Sequence, residues 1–361
     1  MPDLRLRVQP YDELGTAREY AGWKAARITR SIECVAGSFD LAVSDRWNGR
    51  DDPWPIGEED EVLILVDGKP VIWGYVDRRS LSLGAQEHTL SVSGRDRTGL
   101  LVDCSAVLKK WEYLGVPLMT LAKRLCEPFG ITVTLQPGLV VPPLTARLSI
   151  DPGDSAFDAL ERACRVAGVL PVSDGAGGLL LTRAGTARAT TALVQGKNVL
   201  HASAQYDATG RHRRYLVLAQ HPGNDENMGD ATASVMGTAK DPKVRRAERV
   251  LAIRAETAMT PAIAALRASW EATVRAARGD ALSVTVQGWH QADGTLWPVN
   301  AKVQVDLPTI GAKGEMLIAA ATHSLDDKSG TTTELRLLDP KAFTPEPTVP
   351  GGQWKELRKG V

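Results

Sequence analysis

Apolar and polar residues alternate over much of the first hundred positions, with the period of two that is typical of β-strands. Residues 4–8 and 39–43 show this alternation, which places every second side chain on one face of a strand. Residues 20–45 as a whole predict two strands joined by a turn at residues 36–38. The N-terminal part of the chain is therefore predicted to consist of paired strands.

Two hairpins are predicted to follow. Residues 62–66 are an uninterrupted apolar run, and residues 71–76 return as its partner after an Asp-Gly turn at residues 67–68. Asp and Gly both tolerate positive φ, which the tight turns of hairpins require. Residues 81–83 and 88–93 form the second pair. Closing these strands into a small barrel would leave few exposed edges.

Three segments have the period of a helix instead. Residues 117–129 place their apolar residues on one face, and residues 155–167 do the same, with Asp154 as the predicted N-cap and Gly168 at the end. A third helix is predicted over residues 261–279, opened by a Thr-Pro pair. The residues predicted to form its buried face are Ile263, Leu266, Trp270 and Val274.

These elements predict an α+β, β-rich fold with two small β-barrel-like domains and an α+β insert. The segment that precedes the third helix is poor in large apolar residues, and the C-terminus is rich in Pro and Gly, which is typical of an extended linker. In chain order, the predicted units are a first barrel-like domain (1–103) completed by residues 189–220, the insert (104–188), a mobile loop (221–243), a second barrel-like domain with one helix (244–343) and a tail (344–361).

The composition excludes several classes of function. The 361 residues include 43 Lys and Arg and 43 Asp and Glu, so the net charge is zero, which argues against a dedicated nucleic-acid or membrane-surface binder. The apolar runs are far shorter than the roughly 18 residues that span a bilayer, and no secretory signal is visible, so we expect a soluble chain made in the cytosol. The cysteines form no metal-binding or redox pair, and they are Cys34, Cys104, Cys126 and Cys164.

Two long motifs carry a resemblance to a known family. The segment between residues 67 and 106 contains DGKPVIWGYV followed by SGRDRTGLLVDCSA, and the block WKAARITRSIECVAGSFDLAVSDRW precedes it. Further blocks, VQGWHQADGTLWPVNAKVQV and TTTELRLLDPKAF, lie in the C-terminal third. In these blocks, which extend over residues 20–343, the chain resembles the baseplate hub proteins of contractile phage tails, especially those of Mu-like phages.

The resemblance implies a structural protein without catalytic activity. A hub of this family is expected to be a homotrimer in which each chain supplies two similar barrels, so that three chains join a six-fold tail tube to a three-fold central spike. It would contact the tube, the spike and other baseplate proteins, and would leave a lumen for the transient passage of DNA. We expect it in the virion tail baseplate, assembled in the host cytoplasm and without direct membrane insertion. Residues 56–94 and 281–338 are the candidates for the two similar barrels. No sequence repeat between them is visible, so the duplication is implied by the resemblance alone.

The sequence predicts no catalytic, cofactor-binding or metal-binding residues. The carboxylate pairs at residues 151 and 154 and at residues 326 and 327 fit a helix cap and a hairpin turn, and Arg95 with Asp96 fits a local ion pair. The histidines show no metal spacing. Two basic clusters, at residues 211–214 and 243–249, are typical of solvated or subunit-interface surfaces. The candidate interaction residues are Arg213, Arg214, Trp354 and Leu357.

Two other functions remain open from the sequence. A tail-associated cell-wall hydrolase would need a catalytic carboxylate in a cleft. A carbohydrate-binding attachment protein would use exposed tryptophans, for which Trp47, Trp54 and Trp297 are the candidates.

Overall fold

The computed structural model describes residues 2–10, 17–44, 56–83, 88–141, 143–144, 148–185, 187–219, 235–255 and 259–347. The strands of the N-terminal half are β1 (Leu4–Gln9), β2 (Arg18–Tyr20), β3 (Ala25–Ser31), β4 (Ser38–Ser44), β5 (Glu61–Val66), β6 (Lys69–Leu83), β7 (His88–Asp96), β8 (Glu112–Tyr113), β9 (Val133–Leu135), β10 (Leu148–Ser149), β11 (Leu170–Ser173) and β12 (Leu179–Thr182). Those of the C-terminal half are β13 (Ala187–Arg188), β14 (Leu193–Val194), β15 (Val199–Tyr206), β16 (Arg214–Ala219), β17 (Val235–Lys240), β18 (Val250–Arg254), β19 (Asp280–Gln287), β20 (Ala301–Leu307), β21 (Ala312–Asp326) and β22 (Gly330–Leu338). The α-helices are α1 (Leu100–Asp103), α2 (Leu118–Cys126), α3 (Ala156–Ala167) and α4 (Pro261–Gly279), and 3-10 turns occur at Arg97–Gly99, Glu127–Phe129, Pro308–Ile310 and Pro340–Phe343.

The main body of the molecule is one 14-stranded sheet. Its hydrogen-bonded order is β15-β19-β22-β21-β3-β4-β7-β6-β5-β1-β2, and β20 joins it beside β21 with β13 and β14 attached. The predicted Asp-Gly turn lies between β5 and β6, with φ of 51° at Asp67 and 76° at Gly68. The β-rich fold class predicted from the alternation is thus confirmed.

The same strand order occurs twice in this sheet. The first set is β3-β4-β7-β6-β5, and the second is β15-β19-β22-β21-β20, with corresponding members in the same order along the chain. Each set surrounds its own apolar core: the first includes Phe39 and Leu41 of β4, and the second includes Leu282 and Val284 of β19. The chain therefore contains a structural repeat that its residue identities do not reveal.

The backbone details of the two sets match as well. The long strands β6 and β21 each shift register by one residue midway, at Asp77 and at Ala319. Glu59 lies next to the bulge at Asp77, and Asn300 lies next to the bulge at Ala319. Both residues have positive φ, 70° for Glu59 and 64° for Asn300. Each donates its backbone N–H to the carbonyl oxygen just before the bulge, over 3.0 Å for Glu59 and 2.9 Å for Asn300. Positive φ is uncommon outside glycine, so its recurrence at equivalent positions supports a true repeat.

The two sets are joined edge to edge. The second half of β21 pairs with β3 in antiparallel register, from Ala320 opposite Ser31 to Leu325 opposite Ala26. Trp289, from the loop after β19, is fully buried in the core of the first set. Its Nε1 donates to the carbonyl oxygen of Ser324 over 2.8 Å. Backbone pairing and a large apolar anchor together hold the two sets as one body.

The insert between β7 and β13 packs α2 and α3 against a small sheet of β9, β12 and β11. The helices lie where the period predicts, and Gly168 ends α3 with φ of 64°. The predicted cap is wrong, because Ser155 and not Asp154 begins α3. Ser155 accepts from the backbone N–H of Asp158, whose carboxylate accepts from Ser155 in return, so the Ser-x-x-Asp spacing forms a capping box.

The predicted ion pair between Arg95 and Asp96 is also wrong. Successive residues of a strand face opposite sides, so Arg95 points outward to Asp77 and Asp103, both at 2.6 Å. Asp96 points inward, where it is buried and accepts backbone N–H groups from Gly37 at 2.9 Å and Trp73 at 3.3 Å. Burial raises the pKa of Asp96 above its ordinary value.

Two predictions about the middle of the chain are wrong. Residues 189–220 do not complete the first set of strands: β14 pairs with β20, β15 pairs with β19, and β16 joins a separate three-stranded sheet. Alternation shows that a segment is a strand but not which strand it meets. In the predicted loop 221–243, residues 235–240 form β17, and residues 221–234 lie outside the described part of the chain.

Helix α4 covers one face of the three-stranded sheet β17-β16-β18, and Thr260 caps it as predicted. The predicted buried face is wrong in part, because Leu266 is exposed whereas Ala264, Ala268 and Ala272 are buried. A Cβ at Gly237 of β17 would lie 2.0 Å from the backbone of Ala264. The helix approaches the sheet so closely that small residues are needed on both sides.

We expect the joint between the two sets to weaken in acid. Burial lowers the pKa of His323 in β21 from 6.5 to about 3. The unfolded state therefore binds more protons between these values, and stability falls by up to about 1.4 kcal/mol per unit as pH decreases from 6.5 toward 3. The free energy of unfolding, measured with urea at several pH values in this window, should depend less on pH for His323→Gln than for the parent protein. His201→Gln, at an exposed position, should show the pH dependence of the parent. The same pH dependence in all three proteins would contradict this role of His323.

Candidate assembly interface

Among the described residues, the sheet β17-β16-β18 has an uncovered face that is partly apolar. Along β16, Tyr215, Val217 and Ala219 face α4 and are buried, so the residues between them face outward. Their partners across the ladder are set by the register of β17 and β18. We call this surface the outer face, and its residues are Arg214, Leu216, Leu218, Met236, Thr238, Lys240, Val250, Ala252 and Arg254.

Exposed apolar side chains lie at one end of the outer face. Leu218 of β16 and Met236 of β17 lie opposite each other and are both exposed. Arg254 lies next to Leu218 on the other side, and Arg214 and Lys240 lie at the opposite end of the same pair of strands. Exposed apolar side chains with charged neighbours are typical of protein interfaces. The sequence carries a signal for this surface, since Leu216 and Val217 are both apolar, as in strands covered on two faces.

The two basic clusters predicted from the sequence come together at one end of this unit. Arg211 and Asp241, both buried, form an ion pair with distances of 2.9 and 2.8 Å from Nε and Nη2 to Oδ2. Arg249 donates to the carbonyl oxygens of Arg211 at 2.9 Å and Thr209 at 2.6 Å. These cations hold the loop before β16, so much of the basic cluster serves the fold.

The predicted interaction residues have different surroundings. Arg213 donates through Nη1 to the carbonyl oxygen of Asp241 at 3.2 Å and is half-buried. Arg214 begins β16 and is exposed at the margin of the outer face. Trp354 and Leu357 lie outside the described residues. Arg214 is therefore the predicted residue that the structure brings to a candidate interface.

The chain segment that leads to the tail lines a cavity of about 620 Å³, together with residues of α3 and α4. Trp270 donates through Nε1 to the carbonyl oxygen of Thr344 at 2.7 Å, and Arg267 forms an ion pair with Glu346. A Cβ at Gly168 would lie 2.9 Å from Pro345, so the segment lies close against the end of α3. These contacts tie the insert to the unit of α4.

A second exposed apolar surface lies on the insert. Val107, Trp111, Leu114 and Val140 are all exposed. The segment of Trp111 lies beside residues 148–150, since the N–H of Ile150 donates to the carbonyl oxygen of Trp111 at 2.9 Å. Neither apolar surface contains an apolar residue that was predicted from the sequence to take part in interactions, since those candidates were Arg213, Arg214, Trp354 and Leu357.

The described carboxylates have structural roles. Asp154 pairs with Arg162, which lowers the pKa of that carboxyl, and it accepts from the N–H of Asp151 at 2.8 Å. Asp326 accepts the N–H groups of Lys328 and Ser329 in the turn between β21 and β22, and these bonds lower its pKa. Over the ranges that the structure describes, no cluster of His, Cys, Asp and Glu has the arrangement of a metal site, and no helix has the length and apolar character of a membrane span.

The tryptophans proposed for sugar binding provide no exposed site among the described residues. Trp297 is buried in the core of the second set, and Trp47 and Trp54 lie outside the described residues.

We expect the buried Arg211–Asp241 ion pair to stabilise the unit of α4. Asp241→Asn should lower the free energy of unfolding by about 2 kcal/mol, because it removes the nearer counter-charge of the buried guanidinium and leaves Asp280 at 3.9 Å as the remaining one. Urea unfolding measures the change, with Asp3→Asn as the matched control, since its ion pair with Arg5 is exposed and should contribute much less. Equal effects at the two positions would contradict a structural role for the buried pair.

Comparison with known proteins identifies the family. Residues 15–96 match the N-terminal model of Mu phage baseplate assembly proteins that are GpP-like, and residues 98–183 match the second domain of gp44-like baseplate hub proteins. Residues 260–346 match the fourth domain of the Mu phage baseplate assembly protein GpP. Baseplate hub protein gp44 of Escherichia phage Mu is 32% identical over 353 residues, which cover 95% of this chain and 90% of gp44. The chain belongs to the Mu-type baseplate hub family.

Crystal structures of related tail proteins have the same fold. The 43 kDa tail protein of prophage MuSo2 from Shewanella oneidensis is 30% identical, with a TM-score of 0.82 over 95% of this chain and 99% of that protein. A tail protein from Neisseria meningitidis MC58 is 23% identical, with a TM-score of 0.79 over 96% of this chain and 99% of that one. The hub protein is thus a structural component of a phage tail baseplate and not an enzyme.

Proposed function

We propose that this hub protein forms a homotrimer that joins the six-fold tail tube to the three-fold central spike. The observation that carries the proposal is the repeated strand order, since each chain supplies two sets of strands with matching bulges and turns. Three chains then present six similar sets to the tube and three copies of everything else to the spike. A closed ring of subunits with an internal repeat can meet both symmetries.

The insert and the unit of α4 occur once per chain, so they are the parts suited to a three-fold partner. Both carry exposed apolar surfaces, at Val107 and Leu114 of the insert and at Leu218 and Met236 of the outer face. We place the spike on this side of the hub and the tube on the repeated strands. The division into residues 1–103 and 104–188 remains our proposal for the first two units of the chain, and the third unit, residues 244–343, shares its sheet with β15.

A lumen for DNA completes the proposal. The net charge of zero supports it, because tight binding of phosphates would obstruct passage of the duplex. We also propose assembly in the host cytoplasm, which is supported by four free cysteines and by the raised pKa of Cys126, about 12, in its apolar surroundings.

Light scattering on the purified protein across a dilution series tests the proposal. We expect a stable species with three times the chain mass of 38.8 kDa, together with weak binding of duplex DNA at physiological salt. A monomer at every concentration would remove the symmetry argument. Tight DNA binding by a trimer would leave the adaptor role intact and contradict the open lumen.

A further inference from the structure

Two strand edges of the large sheet are open, and they occupy equivalent places in the repeat. Among the described strands, β15 pairs on one side alone, with β19. In β6, the first half pairs with β5, but beyond the bulge at Asp77 no described strand pairs with that edge. Its equivalent, the second half of β21, pairs there with β3, the strand equivalent to β15. The joint between β21 and β3 thus lies within the chain, whereas the equivalent joint between β6 and β15 does not occur among the described strands.

The exposure of the side chains agrees with a missing neighbour. Residues 77–82 of β6 are all exposed, whereas most of the equivalent residues 319–324 of β21 are buried. Leu81 is 58% exposed, but His323 at the equivalent position is 3% exposed because β3 covers it. A large apolar side chain on a bare strand edge is a feature of surfaces that become covered.

The edge of β15 also lacks the usual protection. Its sequence, VLHASAQY, contains no Lys, Arg, Asp, Glu or Pro over eight residues. Natural proteins protect exposed edges with charges, Pro or very short strands, since an open edge can pair with another chain. The strand at the opposite end of the sheet, β2, is protected in this way, because it has three residues and includes Arg18 and Glu19.

We infer that β15 of one copy of this chain pairs, antiparallel, with residues 78–83 of β6 in a second copy. The inference rests on the proposed trimer and specifies its subunit contact. Counting from the bulges across the paired strands places Ala204 where Ile28 lies, and Leu81 where His323 lies. The joint within the chain then fixes the register between chains, which pairs Arg78 with Asp207, Ser80 with Gln205, Leu81 with Ala204 and Ser82 with Ser203.

The side chains suit this register. Arg78 and Asp207, both exposed, have opposite charges. Leu81 meets the small Ala204, and two serines face each other one pair further along. Like charges opposite each other would have opposed the pairing. Since the two edges differ, the contact is head to tail, and three such contacts alternate with three joints within chains to close a ring.

Cysteine cross-linking tests the register. In a Cys34→Ser, Cys104→Ser background, Ser82→Cys with Ser203→Cys places the thiols directly opposite, where the Cα atoms are about 4.5 to 5.5 Å apart and a disulfide can form. The matched control, Ser80→Cys with Ser203→Cys, shifts the register by two residues and should cross-link at least about tenfold less. After mild oxidation, a denaturing gel without reductant should show covalent trimers for the first pair.

The outcomes separate this inference from the proposed function. A trimer by light scattering that gives no Ser82–Ser203 cross-link, or cross-links equally in the shifted pair, would overturn the strand pairing and leave the trimer standing. Covalent chains longer than three copies would overturn the closed ring. A monomer at every concentration would overturn both.

A second variant tests the contact through the loss of assembly and needs no cross-linking. Leu81→Asp should raise the concentration for half-assembly at least about tenfold, since it buries an unpaired charge against Ala204 of the neighbour. The control Leu266→Asp changes an equally exposed leucine of α4 and should assemble like the parent. Normal assembly of Leu81→Asp would overturn the contact.

Discussion

Replacement of Gly94 by alanine is expected to lower the free energy of unfolding by at least about 3 kcal/mol. Gly94 lies in β7 between Phe39 of β4 and Val76 of β6. A Cβ at this position would lie 2.0 Å from the carbonyl oxygen of Tyr75 and 2.7 Å from the ring of Phe39. Backbone and a fully buried ring cannot both move away without loss of strand pairing.

Gly99 provides the control for this prediction within the same motif. A Cβ there would have its nearest contact at 3.5 Å, with the side chain of Arg95, and the backbone is helical with φ of −58°. Gly99→Ala should therefore change stability by less than about 1 kcal/mol. Urea unfolding of the two variants at one protein concentration measures the difference, and similar losses would show that the crowding at Gly94 is not decisive.

The second large effect is expected at Trp289. Trp289→Ala should lower the free energy of unfolding by about 4 kcal/mol, because it empties a fully buried site in the core of the first set. It also removes the hydrogen bond to Ser324, next to the joint of β21 with β3. Since this residue reaches from one set of strands into the core of the other, the loss should separate their unfolding into two transitions.

Trp111→Ala is the matched control for that variant, since Trp111 is an exposed tryptophan of the insert. Its effect on stability should be less than about 1 kcal/mol. Thermal unfolding followed by calorimetry distinguishes the two cases. A single transition with parent stability in Trp289→Ala would mean that the backbone joint holds the two sets together without the anchor.

Local signals in the sequence predicted local structure well. The Asp67-Gly68 turn has the positive φ values that its residues favour, and Gly168 ends α3 as the sequence indicates. Thr260 caps α4 as the sequence indicates, since its hydroxyl accepts an N–H of the first turn. The family resemblance, carried by long motifs, gave the structural function that the comparisons then confirmed.

Features set by distant contacts were missed. The residues of α4 that pack on the three-stranded sheet are alanines, since Gly237 of β17 lies against the helix, and the partner strand cannot be deduced from the sequence of the helix. The partner of β15 could not be deduced, since amphipathic strands fit many neighbours. The repeat was hidden because it is a repeat of hydrogen bonds: His323 and Leu81, or Asn300 and Glu59, are equivalent in the backbone and unlike in chemistry.

The candidate interface also combines a residue that the sequence predicted with residues that only the fold brings together. Arg214 was predicted from its charge and lies at the margin of the outer face. Arg213 came from the same cluster, but it binds the carbonyl oxygen of Asp241 within its own chain. Leu218 and Met236 come together from strands that meet across the ladder, so their shared surface exists only in the fold.

Three chains, each with two sets of strands, should close a ring. Single-particle electron microscopy of the purified protein would show this ring. We expect a three-fold particle in which six similar sets of strands surround a lumen, with β15 of each chain beside β6 of the next. A particle with another number of chains, or a three-fold particle whose strand sets do not form a continuous ring, would contradict it.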